Sequence, residues 1–563
     1  MLNPWVFGDE YIYISKARNL SYGIDVISDA SLGHTYPPLY SYAITPAISD
    51  TAAQSYTNIQ FSNVAMSLLL FFLAFFILNK VFQFTKTKLG IIFMGMAFMM
   101  TVTLPAVSGY WLVAMSENLY VPIIALIFSC FVYLAGRYDN IKPTLRWWWL
   151  AGLGLLTTSA ILTRSIGLAV LPALGMSISW LFWKNTIDTK ALIKKLGLSL
   201  ILTLGLALIG VSIFNTFEQS FIQQTSQAVA QHSYSSNSYL KVITDLFKGQ
   251  NNLTASMKII GNHAIYLLLA SYLLPIVFYL DELIKLIKFK KISKLSAEFV
   301  FLSSFIIFSW GLSYLHTYLG FRSNPIKYST YFRYMDPTVV MLFLYGVVRF
   351  WQVLREKIEL EKVTLIGAGI MSAFLIIMLP ARDFYISINS LGWGWLDLLK
   401  NQPQMIKPVL LVLVIVMMVV LQYKRKYLFG MGAIILIINA LTARVGYLDM
   451  HRWQAGIYRD NVDAIVDELI YDQGITQFYL DKPVTSDHSY LYYLKWRLLF
   501  ENKELVPMPI VDWERDQQEL LAATTPFAVV SESSESELVE NATIEAPATY
   551  QIEDKWQVRV YNQ

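Results

Sequence analysis

The sequence predicts a polytopic α-helical membrane protein, and three observations lead to that fold class. Hydrophobic residues make up 55% of the 563 residues, charged residues only 15%, and the mean hydropathy is +0.46. Long apolar runs recur through most of the chain, while charged residues are concentrated in the connections and near the C-terminus. A soluble domain of this length does not need so much apolar surface. We therefore expect a helical body embedded in the bilayer.

The apolar runs divide the chain into three regions. Residues 1–60 contain too many polar groups to cross a bilayer, so we expect an outer loop with interfacial helices there. Residues 61–446 hold about twelve runs that approach the roughly 20 residues a span needs, and they are predicted to form the transmembrane domain. Residues 447–563 follow as a third region of different composition.

The third region is acidic, with 9 Lys and Arg against 21 Asp and Glu in residues 447–563. Residues 459–473 have apolar positions at helical spacing, and three short segments, TQFYLD, PFAVVSE and WQVRVY, are typical of buried strands. We therefore predict a small soluble α/β domain after the last span.

Loop charges predict the orientation. Six connections carry 21 Lys and Arg together and all fall on one side of the predicted spans, at 84–88, 137–146, 184–195, 285–294, 349–362 and 423–427. Positive charge marks the cytoplasmic side. We therefore expect a multi-pass protein of the inner (plasma) membrane, with residues 1–60 and the C-terminal domain outside the cytoplasm.

Residues 147–183 lie between two basic loops that are predicted on the same side, so this segment must cross the bilayer an even number of times. Two short spans that meet at Arg164 are the simplest solution, and a re-entrant hairpin is the alternative. Either arrangement places Arg164 on the outer side. An arginine within the depth of the membrane is costly unless it faces a polar cavity, so we expect such a cavity next to Arg164.

Two outer segments hold acidic candidates for chemistry. Asp9 and Glu10 open an apparent helix, where an acid could also serve only to cap free N–H groups. Glu117 lies at the outer end of a span and could ligate a divalent cation or orient an acceptor, as could His34. Lone acids at an interface are also commonly just solvated.

A third outer segment is basic, against the bias of the other outer loops. Arg322, Lys327 and Arg333 lie within residues 312–337, and an anion such as a phosphate would explain cations at this position. Tyrosines alternate with them, among them Tyr331 and Tyr334, and these could alternatively form an interfacial aromatic belt.

Other known site types are missing from the sequence. We find no Walker loop, Rossmann glycine fingerprint, zinc-ligand spacing or GxSxG elbow. Cys130 is the only cysteine, which excludes a disulfide framework. We expect no nucleic-acid partner, and membrane lipids are expected around the apolar runs.

In combination, the outer segments resemble those of the GT-C integral membrane glycosyltransferases, particularly the protein mannosyltransferases that use dolichyl-phosphate mannose and the bacterial aminoarabinose transferases. The similar segments share one predicted side and their order along the chain, and they are DEYIYISKAR at 9–18, YPPLY at 36–40, SENL at 116–119, LTRSIGL at 162–168 and FRYMDP at 332–337. The family pattern places a transmembrane helix before the acidic loop, whereas this sequence starts eight residues before Asp9.

The resemblance implies an enzyme that moves a sugar from a polyprenyl-phosphate donor to a hydroxyl of a lipid, glycan or protein acceptor, with inversion. It implies that Asp9 is the general base, with Glu10 beside it, in an outer catalytic loop. Donor phosphate binding would then fall to Arg322, Lys327, Arg333 and Arg164, and contacts with the sugar or lipid to Tyr36, Tyr331 and Tyr334. This chemistry needs no nucleotide site in the protein, and a divalent cation, Mg²⁺ or Mn²⁺, is left open as a cofactor.

Two other functions also fit outer cations and aromatic residues. A transporter or flippase of lipid-linked saccharides is one, although no internal repeat of the kind common in transporters is evident. A polymerase or ligase of such saccharides is the other. The acidic pair and the C-terminal domain favour the glycosyltransferase.

Overall fold

The structure is a computed structural model. It describes residues 8–23, 37–185, 189–213, 244, 253–272, 274–289, 295–323, 332–356, 362–377, 391–399, 403–423, 428–447, 462–475, 477–481, 494, 497, 500, 510–511, 520, 526–532, 548–552 and 556–561.

Helices dominate the described residues. In chain order they are α1 (Gly8–Tyr22), α2 (Leu39–Ile44), α3 (Ala52–Phe82), α4 (Lys88–Val102), α5 (Pro105–Ser108), α6 (Glu117–Gly136), α7 (Pro143–Thr163), α8 (Val170–Asn185), α9 (Thr189–Leu200), α10 (Leu253–Ala270), α11 (Leu274–Phe289), α12 (Ala297–Ser323), α13 (Asp336–Glu356), α14 (Lys362–Ile377), α15 (Pro403–Tyr423) and α16 (Leu428–Leu441).

Several of these helices are long and apolar enough to cross a bilayer. In the described part of the chain six meet that criterion by length and composition, or up to eight if each of two bent helix pairs is one span. The chain is therefore an integral membrane protein. The twelve spans predicted from the sequence exceed this number, and the additional ones stay predictions.

Two helices form the centre of the bundle. All but three of the 20 residues of α6 are buried, and about nine-tenths of the Arg333–Arg355 span is buried, against 17% of the Lys195–Ile213 span. A helix that is apolar on all sides must be surrounded, by protein or by lipid. Helices α3, α7, α12 and α13 pack around α6, so its N-terminus is enclosed by other parts of the chain.

The polar N-terminal region is also packed into the protein. Most residues of α1 are buried, among them Tyr11, Ile14 and Ala17. An interfacial helix would bury one face and expose the other. The interfacial helix expected at this position is therefore largely enclosed, because α2 and residues 45–47 pack against it and Tyr56 of α3 bonds Glu10.

The predicted helix break at Arg164 is confirmed. Helix α7 ends at Thr163, Arg164 has extended backbone angles, and Ser165 begins the next helical segment. The turn requires a small residue after it, since a Cβ on Gly167 would lie 2.5 Å from the Ala160 carbonyl oxygen. The arginine is thereby held at the end of two adjacent helices.

The C-terminal region contains a mixed five-stranded sheet in the order β2–β1–β3–β5–β4, in which β1 runs parallel to β2 and β3 and the other pairs are antiparallel. The strands are β1 (Gln477–Asp481), β2 (Ile510–Val511), β3 (Phe527–Glu532), β4 (Ala548–Ile552) and β5 (Trp556–Tyr561). The three strands predicted from the sequence coincide with β1, β3 and β5, and residues 462–472 are helical as expected. A separate soluble domain stays a prediction.

Candidate active site

The acidic pair at the start of α1 is split between two environments. Glu10 is completely buried, and its Oε1 accepts hydrogen bonds from the Tyr56 hydroxyl at 2.7 Å and the Ala114 backbone N–H at 2.6 Å. The Asp9 side chain keeps 21% of its surface exposed. Adjacent residues of a helix point about 100° apart, so the two carboxylates face different surroundings.

Asp9 belongs to a cluster of four alternating charges. Its Oδ2 lies 2.6 Å from Arg333 Nη2, and Arg333 Nε lies 3.5 Å from Glu117 Oε1. Glu117 also forms an ion pair with Arg164. The side chains of Glu117, Arg164 and Arg333 are more than 90% buried. Two acids and two arginines cancel in charge, which is the condition for keeping such groups out of water.

An aromatic ring supports both arginines. The Cζ of Arg164 lies 4.7 Å from the ring centroid of Tyr334, and that of Arg333 lies 5.8 Å from it. His316 contacts the same ring edge-on at a centroid distance of 4.4 Å. Cations are attracted to the face of an aromatic ring. Tyr334 therefore stabilises the two guanidinium groups in one place although they repel each other.

Two hydroxyl groups lie next to the charge cluster. Tyr13, one helical turn after Asp9, donates a hydrogen bond to Ser116 Oγ at 2.9 Å, and Arg164 Nη1 donates to the same oxygen at 3.4 Å. Burial raises the pKa of the Tyr13 phenol, so it remains a neutral donor. Residues four apart on a helix share a face, and Tyr13 thus ties the Asp9 face of α1 to the start of α6.

A further buried carboxylate, that of Asp336, lies three residues after Arg333. Asp336 is completely buried and begins α13. It accepts a hydrogen bond from the Tyr110 hydroxyl at 2.5 Å on Oδ2 and one from the Tyr266 hydroxyl on Oδ1. The Tyr266 oxygen in turn accepts the Gly392 N–H at 2.8 Å. Each carboxylate oxygen has its own donor.

The structure brings together five residues that the sequence predicted for the site, namely Asp9, Glu117, Arg164, Arg333 and Tyr334. Glu10 bonds the Tyr56 hydroxyl and the Ala114 N–H. Arg322 lies in α12, without a described side chain. Four more candidates lie outside the described residues, and they are His34, Tyr36, Lys327 and Tyr331.

Sequence reasoning missed several neighbours of this cluster. Ser116 and Asp336 lie within motifs that were recognised, SENL and FRYMDP, but no role was assigned to them. The i+4 spacing of Tyr13 from Asp9 was a usable signal. His316 had no such signal, because its neighbour Tyr334 is 18 residues away and packs by tertiary contact.

The described side chains do not fit a divalent cation site. No group of three or more His, Cys, Asp or Glu side chains in the described residues is arranged to hold a metal ion. Asp9 and Glu117 each have an arginine as counter-ion, and Glu10 is engaged by Tyr56 and Ala114. A hard cation prefers several oxygen ligands that are not already neutralised.

The whole chain is similar to solved structures of one other protein. No protein-family model matches it, and no curated protein matches it significantly. Two solved structures do. The crystal structure of ArnT from Cupriavidus metallidurans in the apo state has a TM-score of 0.53 and 14% sequence identity, over 99% of this chain and 94% of that one. The structure of the same protein bound to undecaprenyl phosphate has a TM-score of 0.50 and 13% identity, with equal coverage.

The chain has the fold of ArnT. ArnT is an aminoarabinose transferase of the GT-C class, so the fold that the sequence resemblance implied is confirmed. At 13–14% identity the likeness to ArnT concerns the fold. Residue roles in this chain must be argued from its own side chains, because a fold hosts many chemistries.

Proposed function

We propose that the chain is a membrane glycosyltransferase that moves a sugar from a polyprenyl-phosphate donor to a hydroxyl of a lipid, glycan or protein acceptor. The observation that carries the proposal is the contact of Asp9 with Arg333, in a cluster that also holds Glu117 and Arg164. One partly exposed carboxylate beside two arginines provides both a base and an anion site. The ArnT fold, seen in that protein with undecaprenyl phosphate, supports this donor class.

In the proposed reaction Asp9 takes the proton from the acceptor hydroxyl. The hydroxyl oxygen attacks the anomeric carbon as the bond between that carbon and the phosphate oxygen breaks, which inverts the configuration. The polyprenyl phosphate leaves with the additional negative charge. Arg333 and Arg164 stabilise that charge as it develops, and such stabilisation by preorganised groups is a large contribution to catalysis.

Arg333 has two competing roles in this scheme. Its pairing with Asp9 neutralises the carboxylate that must act as base. A donor phosphate that binds Arg333 competes with Asp9 for the same guanidinium group. We therefore propose that the donor binds first and releases Asp9 to accept the proton, and that the acceptor is activated only afterwards.

The proposed location is the outer face of the inner (plasma) membrane. The support is the sequence pattern, in which basic loops lie opposite the segments that hold Asp9, Glu117 and Arg333. A divalent cation has no part in the proposed steps, because Asp9 and Glu117 are neutralised by arginines.

The test is transfer by purified protein in nanodiscs supplied with polyprenyl-phosphate sugars and candidate acceptors, with Asp9→Asn as the variant. We expect transfer to fall by more than about 100-fold, which is the range of a lost general base. Asp50→Asn is the matched control, since Asp50 is an exposed acid of the same region, and it should transfer normally.

Formation of a new glycosidic bond separates a transferase from a flippase, which would move labelled donor across the membrane without consuming it. Near-normal transfer by Asp9→Asn would refute the assignment of the base. Donor translocation without product would refute the transferase.

A further inference from the structure

Both partners of the Asp9–Arg333 contact have a buried acidic neighbour in their own helix or turn. Glu10 directly follows Asp9, and Asp336 lies three residues after Arg333. Glu10 accepts from a hydroxyl and a backbone N–H, and Asp336 accepts from two hydroxyls. The hydrogen bonds of both lead to the same short segment, residues 110–114, which joins α5 to α6.

On the Asp9 side, the bonds of Glu10 fix the start of α1. Its Oε1 accepts the Ala114 N–H at 2.6 Å and the Tyr56 hydroxyl at 2.7 Å. The Tyr56 hydroxyl also lies 3.1 Å from the Leu112 carbonyl oxygen. A completely buried carboxylate with such bonds can move only if the segment moves with it.

On the Arg333 side, Tyr266 holds the chain both before and after the arginine. Its ring stacks on Phe332 at a centroid distance of 4.6 Å and an interplanar angle of 17°. Its hydroxyl donates to Asp336, which also accepts from Tyr110 at 2.5 Å. Arg333 lies between these two contacts.

The segment itself is rigidly bonded. Asn118 Nδ2 lies within hydrogen-bond distance of the carbonyl oxygens of Tyr110, Val113 and Met115, at 2.8, 2.9 and 3.1 Å. Asn63 donates to the Val113 oxygen as well, at 2.9 Å. Buried amides thus hold both the Val113–Ala114 peptide unit, whose N–H donates to Glu10, and the backbone of Tyr110, whose hydroxyl donates to Asp336.

We infer that Glu10 and Asp336 are positioning residues, which hold Asp9 and Arg333 opposite each other through their shared attachment to residues 110–114. Glu10 needs only to accept hydrogen bonds for this role and is not a second base. The inference deepens the proposed function and rests on it only for the expected change in transfer. The geometric part concerns the folded protein alone.

The geometric test is a double-mutant cycle of Asp9→Asn and Arg333→Gln, with thermal unfolding in detergent as the readout. The cycle is measured in the wild-type background and again with Tyr266→Phe or Tyr110→Phe, each of which removes one donor to Asp336 and retains the ring. We expect the coupling between Asp9 and Arg333 to fall by about half or more in both backgrounds, as interactions within one network do not add.

Tyr345→Phe is the matched control background. Tyr345 is buried in the same helix, α13, and its hydroxyl donates to the Phe278 carbonyl oxygen at 3.2 Å, away from the 110–114 segment. The coupling should be unchanged there. Unchanged coupling with both Tyr266→Phe and Tyr110→Phe would overturn the inference, whether or not the protein proves to be a transferase.

The catalytic test compares Glu10→Gln with Glu10→Ala. Glutamine can accept the same two hydrogen bonds, so we expect transfer within about fivefold of wild type, whereas alanine leaves the Ala114 N–H without its acceptor and should reduce transfer at least about tenfold. Loss of transfer in Glu10→Gln equal to that in Asp9→Asn would make Glu10 catalytic and overturn its positioning role. Absence of transfer in the wild type would instead refute the proposed function.

Discussion

Arg333 is the residue on which the site depends most directly, because it lies between two carboxylates. Its Nη2 contacts Asp9 and its Nε faces Glu117, so the guanidinium fork is used on two edges. Arginine suits this position, since its donors have fixed directions and it keeps its charge when buried. Lysine would offer one point charge on a flexible chain.

We expect Arg333→Gln to raise the apparent donor constant or lower turnover by more than tenfold, because loss of a buried partner of a charged group costs about 2–5 kcal/mol. Arg333→Lys should be intermediate. The measurement is donor-dependent kinetics in nanodiscs. Arg137→Gln is the control, since Arg137 hydrogen-bonds the Lys80 carbonyl oxygen in a predicted cytoplasmic connection. Normal kinetics in both Arg333 variants would place the phosphate site elsewhere.

Lys16 in α1 predicts a pH-dependent stability. Burial lowers its pKa from 10.5 to about 8. Protonated Lys16 therefore lowers the free energy of unfolding. This loss of stability is complete below pH 8 and disappears as the pH approaches 10.5. Its upper limit is about 3 kcal/mol.

Lys16→Met should unfold at a higher temperature than wild type at pH 7. The difference should shrink at pH 9.5, because folded wild type has then lost the proton and most of the cost of burying a charge is gone. Thermal unfolding in detergent at the two pH values measures it. Lys88→Met, at an exposed lysine, is the control. A difference that stays constant or grows with pH would contradict the argument.

At the scale of single elements, α6 contains a proline in its second turn that affects the site. Pro122 has no N–H, so the Asn118 carbonyl oxygen loses its normal partner in the helix. Ser67 of α3 donates a hydrogen bond to that oxygen at 3.0 Å. The bond attaches α3 to the first turn of α6, where Glu117 lies.

Ser67→Ala should lower the free energy of unfolding by about 1–3 kcal/mol, because it leaves a buried carbonyl oxygen unsatisfied. Ser129→Ala is the matched control on α6, since the Ser129 hydroxyl bonds the Ala125 oxygen within its own helix. Loss of that bond should change the free energy of unfolding little, because the Ala125 oxygen keeps its backbone hydrogen bond within the helix. Chemical denaturation in detergent compares the two, and equal losses would contradict a special role for Ser67.

At the scale of the whole molecule, the predicted orientation follows from loop charge. The six basic connections fall on one predicted side, and the segments with Asp9, Glu117 and Arg333 fall on the other. In the structure those three side chains do meet, although 324 residues separate Asp9 from Arg333. Because the three segments were predicted on one side of the membrane and their side chains are in contact, the structure supports placing them on a common side.

A reporter active only outside the cytoplasm should therefore be active when fused after Gln563 and silent when fused after Lys142, in the basic connection 137–146. The physical reason is that short basic loops are retained on the cytoplasmic side. A reporter active only in the cytoplasm should give the opposite pattern. A cytoplasmic result at Gln563 would overturn the orientation of the whole chain.

The sequence alone predicted the elements whose signal is local. Apolar runs marked the spans, short segments typical of buried strands marked β1, β3 and β5, and the polar interruption at Thr163–Ser165 marked the helix break. Hydropathy and periodicity act over roughly 5–20 consecutive residues, which is also the scale on which a helix or strand chooses its environment. For the same reason the sequence could say which segments share a side of the membrane.

Only the tertiary structure decided which side chains meet. It gave Asp9 an arginine and Glu10 a backbone N–H, selected Arg333 as the partner, and joined Asp336 to two tyrosines 226 and 70 residues away along the chain. Such contacts depend on how helices rotate and stack, because a hydrogen bond or ion pair requires separations near 3 Å. A one-residue change around a helix turns a side chain by about 100°, and no periodicity in the sequence records which neighbour it then finds.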